Sequence, residues 1–136
     1  MLEDPLSNPL NGLHILVLED EFLIAMDVEQ LCRDSGARDV TIVRDLEDLS
    51  RLPEATETFD AAIVDLMLSG NSTLEFAAQL RQEGVPFVFA SGYSNSEEVS
   101  RDFPDVDLVG KPYAGDDLIS ALVRSIAKSS ILQSSE

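Results

Sequence analysis

The chain contains five short apolar runs, and stretches with helical spacing lie between them. The runs hold four or five residues each and are rich in β-branched or aromatic side chains; they cover residues 14–18, 40–43, 61–64, 87–90 and 106–109. Runs of this length and composition are typical of strands that are buried on both faces of a parallel sheet. This pattern limits the possible folds more than any other feature of the chain.

The stretches between the runs favour helices with one apolar face. Their apolar residues are Ile24, Val28 and Leu31, then Phe76, Ala77 and Leu80, then Leu118, Ile119, Leu122, Val123 and Ile126. Spacings of three and four residues place such side chains on one side of a helix. Strands that alternate with helices predict right-handed βαβ units. The predicted fold class is therefore α/β, a doubly wound five-stranded parallel sheet with helices on both faces.

The length of 136 residues suits one ordinary domain and leaves no room for a second folded module. We assign the domain to residues 13–128. Residues 1–12 contain two prolines and show no periodicity, so they predict an N-terminal arm or linker. The serine-rich residues 129–136 predict a C-terminal tail.

The charge and the apolar content limit the function classes. A net charge of −17, from 26 acidic and 9 basic residues, predicts no direct binding to nucleic acid or to an anionic membrane. No apolar stretch approaches the roughly 20 residues of a membrane helix, and the N-terminus lacks the pattern of a secretory signal. We therefore expect a cytoplasmic location. The single cysteine, Cys32, excludes an internal disulfide and predicts a packing role.

Polar side chains follow four of the five predicted strands. Glu19 and Asp20 follow the first, Asp65 follows the third, Ser91 follows the fourth and Lys111 follows the fifth. In sheets of this class, ligands bind beyond the carboxyl ends of the strands. The predicted fold and the predicted chemistry thus point to the same edge of the sheet.

These residue types together predict a phosphoryl-transfer site. The carboxylates of Glu19, Asp20 and Asp65 would repel one another unless a hard cation such as Mg²⁺ lay between them. An aspartate carboxylate can attack a phosphoryl group and form an acyl phosphate when the charge on the transferring oxygens is neutralised. Lys111, one of two lysines in the chain, offers a positive charge for a phosphate oxygen, and Ser91 offers a hydrogen bond.

Each residue also has a simpler interpretation. Asp20 could cap the following helix, Ser91 could be a turn residue, and Lys111 could be a solvated loop charge. Asp65 is harder to explain in this way, because it lies between two apolar segments where an acid without a partner is costly. The joint placement of all four at strand ends favours the functional interpretation.

Four segments resemble the receiver domains of two-component response regulators over about residues 13–128. They are Ile-Leu-Val-Leu-Glu-Asp-Glu at 15–21, Ala-Ile-Val-Asp-Leu at 62–66, Phe-Ala-Ser-Gly-Tyr at 89–93 and Val-Gly-Lys-Pro-Tyr at 109–113. The resemblance implies a flavodoxin-like fold with strand order 2-1-3-4-5. It also implies that Asp65 accepts a phosphoryl group from a histidine kinase or a histidine phosphotransfer protein. Such a domain catalyses only its own phosphorylation and dephosphorylation, and it signals to a downstream protein that the sequence does not identify.

The resemblance also implies roles for the remaining polar residues. Mg²⁺ would be bound by Asp20, by Asp65 and by the backbone carbonyl of Met67, with Glu19 acting through a water molecule. Ser91 and Lys111 would hold the phosphoryl oxygens. The peptide bond before Pro112 would be cis. The sequence leaves open whether Tyr93 and Tyr113 are contact residues or surface packing.

The segment around residue 108 departs from the commonest receiver pattern. Many receivers have an aromatic switch residue three positions before the lysine, whereas this chain has Leu108. The ordinary coupling of that aromatic to the hydroxyl residue cannot operate unchanged. Phe-Ala-Ser-Gly-Tyr at 89–93 is similar to the motif of the FAT-GUY subset of receivers, which have an unusual fourth helix. We expect a short or weakly held helix within residues 92–102, and we hypothesise that phosphorylation reorganises this segment.

Two other classes of function compete with a phosphorylated receiver. A degenerate receiver would bind its partner without phosphorylation, but the intact set of site residues argues against it. A phosphatase of the haloacid dehalogenase type would place its nucleophile and a second acid two residues apart after the first strand; here the residue two positions after Asp65 is Met67. The sequence does not distinguish a stand-alone regulator from a receiver that belongs to a longer hybrid kinase.

Overall fold

The computed structural model describes residues 8–51, 59–92, 97–111 and 115–134. The strands are β1 His14–Leu18, β2 Asp39–Val43, β3 Ala61–Asp65, β4 Met67–Leu68, β5 Asn71–Ser72, β6 Phe87–Ser91 and β7 Leu108–Gly110. The helices are α1 Phe22–Asp34, α2 Leu46–Ser50, α3 Leu74–Gln82, α4 Glu97–Asp102 and α5 Gly115–Ser134. None of these helices is both long and apolar enough to cross a membrane.

Five strands form one parallel sheet in the order β2-β1-β3-β6-β7. The two short strands β4 and β5 pair with each other as an antiparallel hairpin outside this sheet. When the hairpin is set aside, the order is the 2-1-3-4-5 order that the resemblance implied. The predicted fold class is therefore confirmed.

Alternate residues of the central strands pack on opposite faces of the sheet, as the twofold period of a strand requires. Ile15 and Val17 of β1 belong to a core cluster that includes Val28 of α1 and Leu118 of α5. The other face of β1 and β3 packs in a second cluster with Leu80 of α3. Helices thus cover both faces, and the strand ends remain free to carry the site.

The chain is helical beyond the predicted end of the domain at residue 128. Helix α5 continues to Ser134, so it includes residues 129–134 of the segment for which a C-terminal tail was predicted. Polar contacts connect the second half of this helix to β6 and to the turn before β7. The hydroxyl of Ser125 donates to the carbonyl of Phe87 at 3.0 Å, and the ammonium of Lys128 donates to the carbonyl of Asp105 at 3.2 Å. Within the serine-rich segment, the hydroxyl of Ser129 lies 3.4 Å from the carbonyl of Gly84, to which it donates.

Residues 8–12 pack against the domain, although the sequence predicted an arm over residues 1–12. The side chain of Leu10 is fully buried, and its N–H donates to the carbonyl of Ser35 at 2.8 Å. The segment approaches Gly36 so closely that a Cβ there would lie 3.0 Å from the Cα of Asn11. The domain therefore begins before residue 13, and residues 1–7 lie outside the described part of the chain.

Two local elements differ from the predictions. β7 begins at Leu108 rather than at Val106, because the N–H of Val106 donates to the carbonyl of Phe103 at 3.1 Å and closes a turn. Helix α2 was not predicted. Its first turn is stabilised by the side chain of Asp45, which accepts a hydrogen bond from the N–H of Asp48 at 2.7 Å.

Candidate functional site

The three acidic side chains meet at the carboxyl ends of two neighbouring strands. Glu19 and Asp20 directly follow β1, and Asp65 is the last residue of β3. β1 and β3 are hydrogen-bonded neighbours, with Leu18 opposite Val64. One carboxylate oxygen from each of the three acids lies within 4.8 Å of the others. The structure thus brings together the residues that the sequence placed at one edge of the sheet.

Two of the three carboxylates are largely removed from water. Glu19 is 1% exposed and Asp65 is 6% exposed, whereas Asp20 is half-buried. Burial raises the pKa of Glu19 above its usual value, and the hydrogen bonds from Lys111 and from the N–H of Glu21 oppose this rise. Closely spaced carboxylates at this depth require positive charge beside them.

Lys111 provides that charge from the end of the fifth strand of the sheet. Its N–H donates to the carbonyl of Ser91 at 2.9 Å, which fixes the backbone after β7. Its Nζ lies 2.6 Å from Oε1 of Glu19 and 2.7 Å from Oδ2 of Asp65. Burial lowers the pKa of Lys111, but the hydrogen bonds and charges of Asp65 and Glu19 outweigh this effect and raise it. The ammonium group therefore bridges the two buried acids.

The donor set fits a divalent cation. One ammonium group does not balance three carboxylates, so the cluster keeps an excess of negative charge. Oxygen donors of this kind are the ligands that Mg²⁺ uses, together with water and phosphate oxygens. Glu19, Asp20 and Asp65 are the described residues that could hold such an ion. The direct role of the Met67 carbonyl remains a prediction.

Ser91 lies at the same edge of the sheet as Asp65. It is the last residue of β6, it is 6% exposed, and the residue before it, Ala90, pairs with Asp65. On its other side Ser91 pairs with Gly110, the residue before Lys111. The five residues whose side chains were predicted to form the site therefore lie at the ends of adjacent strands, and the sixth predicted residue, Met67, lies in the hairpin after β3. Their individual catalytic roles remain predictions.

Two residues that the sequence analysis did not single out support the loop after β3. The buried hydroxyl of Thr73 donates to the carbonyls of Asp65 and Leu66 at 2.5 and 3.2 Å. The N–H of Ser69 donates to Oδ2 of Asp20 at 3.0 Å. Thr73 precedes α3, where a threonine is a common N-terminal cap, and that signal could have drawn attention to it. No pattern in the sequence signals the contact of Ser69.

Position 108, where many receivers have an aromatic switch residue, is occupied by a partly buried leucine. Leu108 is the first residue of β7, pairs with Phe89 and is partly buried against the cluster on that face. Helix α4 is short, as expected, and spans Glu97–Asp102. Tyr93, Pro112 and Tyr113 lie outside the described residues, so the predictions about them, including the cis bond, remain predictions.

Comparisons of the sequence and of the structure with known proteins indicate the same family. The sequence model of the response regulator receiver domain family matches residues 15–123 of this chain. The transcriptional regulatory protein PdtaR of Mycobacterium tuberculosis is 26% identical over 117 residues, which are 84% of this chain and 57% of that protein. This chain therefore corresponds to little more than half the length of that relative.

Solved structures agree in fold. The response regulator PhyR from Brucella abortus is 25% identical with a TM-score of 0.76, over 90% of this chain and 51% of PhyR. A response regulator receiver protein from Sinorhizobium medicae is also 25% identical with a TM-score of 0.72, over 87% of this chain and 97% of that protein. The family match covers most of the chain, and the sheet order and the acidic edge agree with it. The chain belongs to the family of response regulator receiver domains.

Proposed function

We propose that Asp65 is the phosphoacceptor of this receiver domain and that its phosphorylation switches the binding of a downstream protein. The observation that carries the proposal is the contact between the ammonium group of Lys111 and Oδ2 of Asp65, inside a cluster of three carboxylates. A buried aspartate that is paired with a cation at the end of a central strand is suited to attack phosphorus and to hold the product.

Each site residue has a separate role in the proposed reaction. A carboxylate oxygen of Asp65 attacks the phosphorus, the bond to the donor's leaving group breaks, and an acyl phosphate forms. Attack by water later restores the carboxylate and releases inorganic phosphate. The ammonium of Lys111 then pairs with a phosphoryl oxygen, and Ser91 donates a hydrogen bond to another. Mg²⁺, when bound by Asp20, Asp65 and the Met67 carbonyl with Glu19 acting through water, supplies charge neutralisation on the transferring oxygens.

Intact-mass measurement after incubation with phosphoramidate and MgCl₂ tests this proposal. We expect the native chain to gain the mass of one phosphoryl group, and we expect Asp65→Asn to gain none. Asp27→Asn is a matched control, because Asp27 is an exposed aspartate on α1 and should not affect labelling. If Asp65→Asn is labelled as fast as the native chain, Asp65 is not the phosphoacceptor.

The proposed phosphodonor is a histidine kinase or a histidine phosphotransfer protein, which must bring its phosphohistidine to Asp65. Among the described residues, the large apolar side chains that are exposed are Phe22, Leu23, Met26 and Met67. Three of these belong to α1, which begins just after Asp20, and Met67 lies two residues after Asp65. An apolar surface beside the phosphoacceptor would be covered when a donor protein docks.

Leu23→Glu tests this docking surface, because Leu23 is 75% exposed and the change should not disturb the fold. The assay uses a histidine kinase that is first selected for its ability to phosphorylate the native chain. We expect slower transfer from the kinase and an unchanged rate with phosphoramidate. Gln79→Glu, an exposed position on α3, is the charge-matched control. Equal transfer rates for both variants would argue against docking on α1.

The switch is proposed to act on residues 92–102. Val99 and Phe103 are each 5% exposed and anchor α4 and the turn after it, while Gly92 is exposed. Phosphorylation of Asp65 is expected to change the packing of this segment, since Leu108 cannot act as the aromatic switch. Amide exchange with and without beryllofluoride measures this. An unchanged rate across the segment would contradict the proposal.

The proposed setting is the cytoplasm, and the domain itself is not expected to touch nucleic acid or membrane, given its charge of −17. The downstream partner is a protein. A degenerate receiver is the second candidate, and it predicts binding of that partner by the native chain and by Asp65→Asn alike.

A further inference from the structure

The β4–β5 hairpin has an unusual turn immediately after the phosphoacceptor strand. Met67 pairs with Ser72 and Leu68 pairs with Asn71, so only Ser69 and Gly70 form the turn. Their φ angles are 51° and 81°. A two-residue turn with positive φ at both positions is the kind that matches the twist of a hairpin. The turn geometry therefore requires a left-handed residue at position 69.

Ser69 is the only non-glycine residue with a positive φ in the described part of the chain. Serine adopts this conformation at a steric cost, so other contacts must hold it there. Its hydroxyl donates to the carbonyl of Arg44 at 3.1 Å, and its carbonyl accepts a hydrogen bond from the side chain of Asn71 at 3.3 Å. The turn is thus fixed to the loop after β2 although Ser69 is exposed.

The left-handed backbone aims the N–H of Ser69 at the acidic cluster. This N–H donates to Oδ2 of Asp20 at 3.0 Å. Asp20 is half-buried, and one of its oxygens lies in the group formed with Glu19 and Asp65. A hydrogen bond to a carboxylate is among the stronger ones and restricts rotation of the side chain. Ser69 therefore connects the hairpin after β3 to the loop after β1 through Asp20 and to the loop after β2 through Arg44.

We propose that Ser69 is a positioning residue that orients Asp20 for binding a divalent cation. The inference rests on the proposed function, in which Asp20 is a direct Mg²⁺ ligand. Residues that hydrogen-bond to metal ligands fix the orientation of those ligands, and their loss lowers metal affinity by roughly 10- to 100-fold. Here the contribution comes from a backbone N–H, so it depends on the conformation of position 69 and not on the chemistry of its side chain alone.

Three substitutions separate the parts of this contact. Ser69→Pro removes the N–H and cannot adopt a positive φ. Ser69→Ala keeps the N–H but loses the hydroxyl contact that holds the strained backbone. Ser69→Gly keeps the N–H and adopts the left-handed conformation without strain. Ser72→Ala is the control in the same hairpin, since its hydroxyl accepts from the N–H of Leu74 and not from the site.

The measurement is the Mg²⁺ dissociation constant of the unphosphorylated chain by isothermal titration calorimetry, with no phosphodonor present. We expect Ser69→Pro to weaken binding by roughly 10- to 100-fold. Ser69→Ala should weaken it by about threefold to tenfold, and Ser69→Gly and Ser72→Ala by less than about twofold. Thermal unfolding in EDTA identifies any variant that does not fold. If Ser69→Pro does not fold, the inference is tested by whether Ser69→Ala binds Mg²⁺ more weakly than Ser69→Gly.

Asp20→Asn distinguishes failure of this inference from failure of the proposed function. If Asp20→Asn loses Mg²⁺ affinity while the folded Ser69→Pro and Ser69→Ala bind as the native chain does, Ser69 has no positioning role. If the native chain and Asp20→Asn bind Mg²⁺ equally, the assignment of the metal site itself is wrong. The inference also requires non-additivity: Ser69→Ala should have little further effect on Mg²⁺ affinity once Asp20 is replaced.

Discussion

Replacement of Lys111 by methionine tests how the site balances its charges. The Nζ atom lies 2.6 and 2.7 Å from two carboxylate oxygens, and the side chains of Lys111, Glu19 and Asp65 are 11%, 2% and 9% exposed. At an effective dielectric constant of about 20, each contact corresponds to about 6 kcal/mol of Coulomb attraction. The cost of removing these charges from water offsets much of that energy.

Lys111→Met leaves two buried carboxylates without their cation. Loss of one partner from a buried ion pair costs about 3–5 kcal/mol, and we expect a loss of about 3 kcal/mol in the free energy of unfolding because Asp20 keeps the cluster partly open to water. Urea unfolding in EDTA at neutral pH, followed by circular dichroism, measures it. The matched control is Lys128→Met, which replaces the only other lysine at an exposed position and should cost less than about 1 kcal/mol.

Added Mg²⁺ provides the second half of this test. The cation replaces the missing ammonium charge, so Mg²⁺ should stabilise Lys111→Met by at least about 1 kcal/mol more than it stabilises the native chain at the same concentration. Equal stabilities of Lys111→Met and the native chain in EDTA would refute the role of Lys111 as the internal cation. Equal effects of Mg²⁺ on the two proteins would refute the idea that ammonium and metal neutralise the same carboxylates.

Three further predictions use the same unfolding assay or a simple labelling reaction. Leu10→Ala should cost about 2–5 kcal/mol, because Leu10 is fully buried, whereas Leu23→Ala at an exposed position should cost less than about 0.5 kcal/mol; similar costs would show that residues 8–12 are not part of the domain. Thr73→Val should cost about 1–3 kcal/mol, because it removes the donor to two carbonyls at the end of β3, and Thr73→Ser should retain most of the stability. Burial raises the pKa of the Cys32 thiol to about 12, so iodoacetamide at pH 8 should label the chain only after urea unfolding; rapid labelling of the folded chain would contradict the buried position.

The sheet and the positions of the site residues were predictable because both follow from local patterns. Four-residue and five-residue apolar runs specify strands that are buried on both faces, and in a parallel sheet their ends fall at one edge. Asp65 and Lys111 are far apart in sequence and belong to the ends of strands separated by β6; their shared edge of the sheet predicted proximity, and the long lysine side chain completes the contact. The strand order itself came from the family resemblance.

The remaining features depend on tertiary contacts that no local pattern encodes. Helix α5 continues to Ser134 through a serine-rich segment, and its residues Ser125 and Lys128 donate hydrogen bonds to the carbonyls of Phe87 and Asp105. Leu10 is buried in the core cluster that includes Val28 and Cys32, while its neighbours Asn8 and Asn11 pass close to Gly36. The contact of Ser69 with Asp20 requires a positive φ at Ser69 and the β4–β5 hairpin, neither of which was predicted. Helix α2 is different, since the sequence itself carries its signals: Asp45 is a capping residue, and Glu47 and Asp48 make the first turn acidic.

The central claim, that Asp65 accepts a phosphoryl group and thereby switches the domain, is tested most directly by amide NMR during beryllofluoride titration with Mg²⁺. Beryllofluoride mimics the phosphoryl group on an aspartate. The account predicts saturable, Mg²⁺-dependent shifts at Asp65, Ser91 and Lys111 in the native chain, and none of them in a folded Asp65→Asn variant. A folded native chain that shows no response, or a variant that responds as the native chain does, would contradict it.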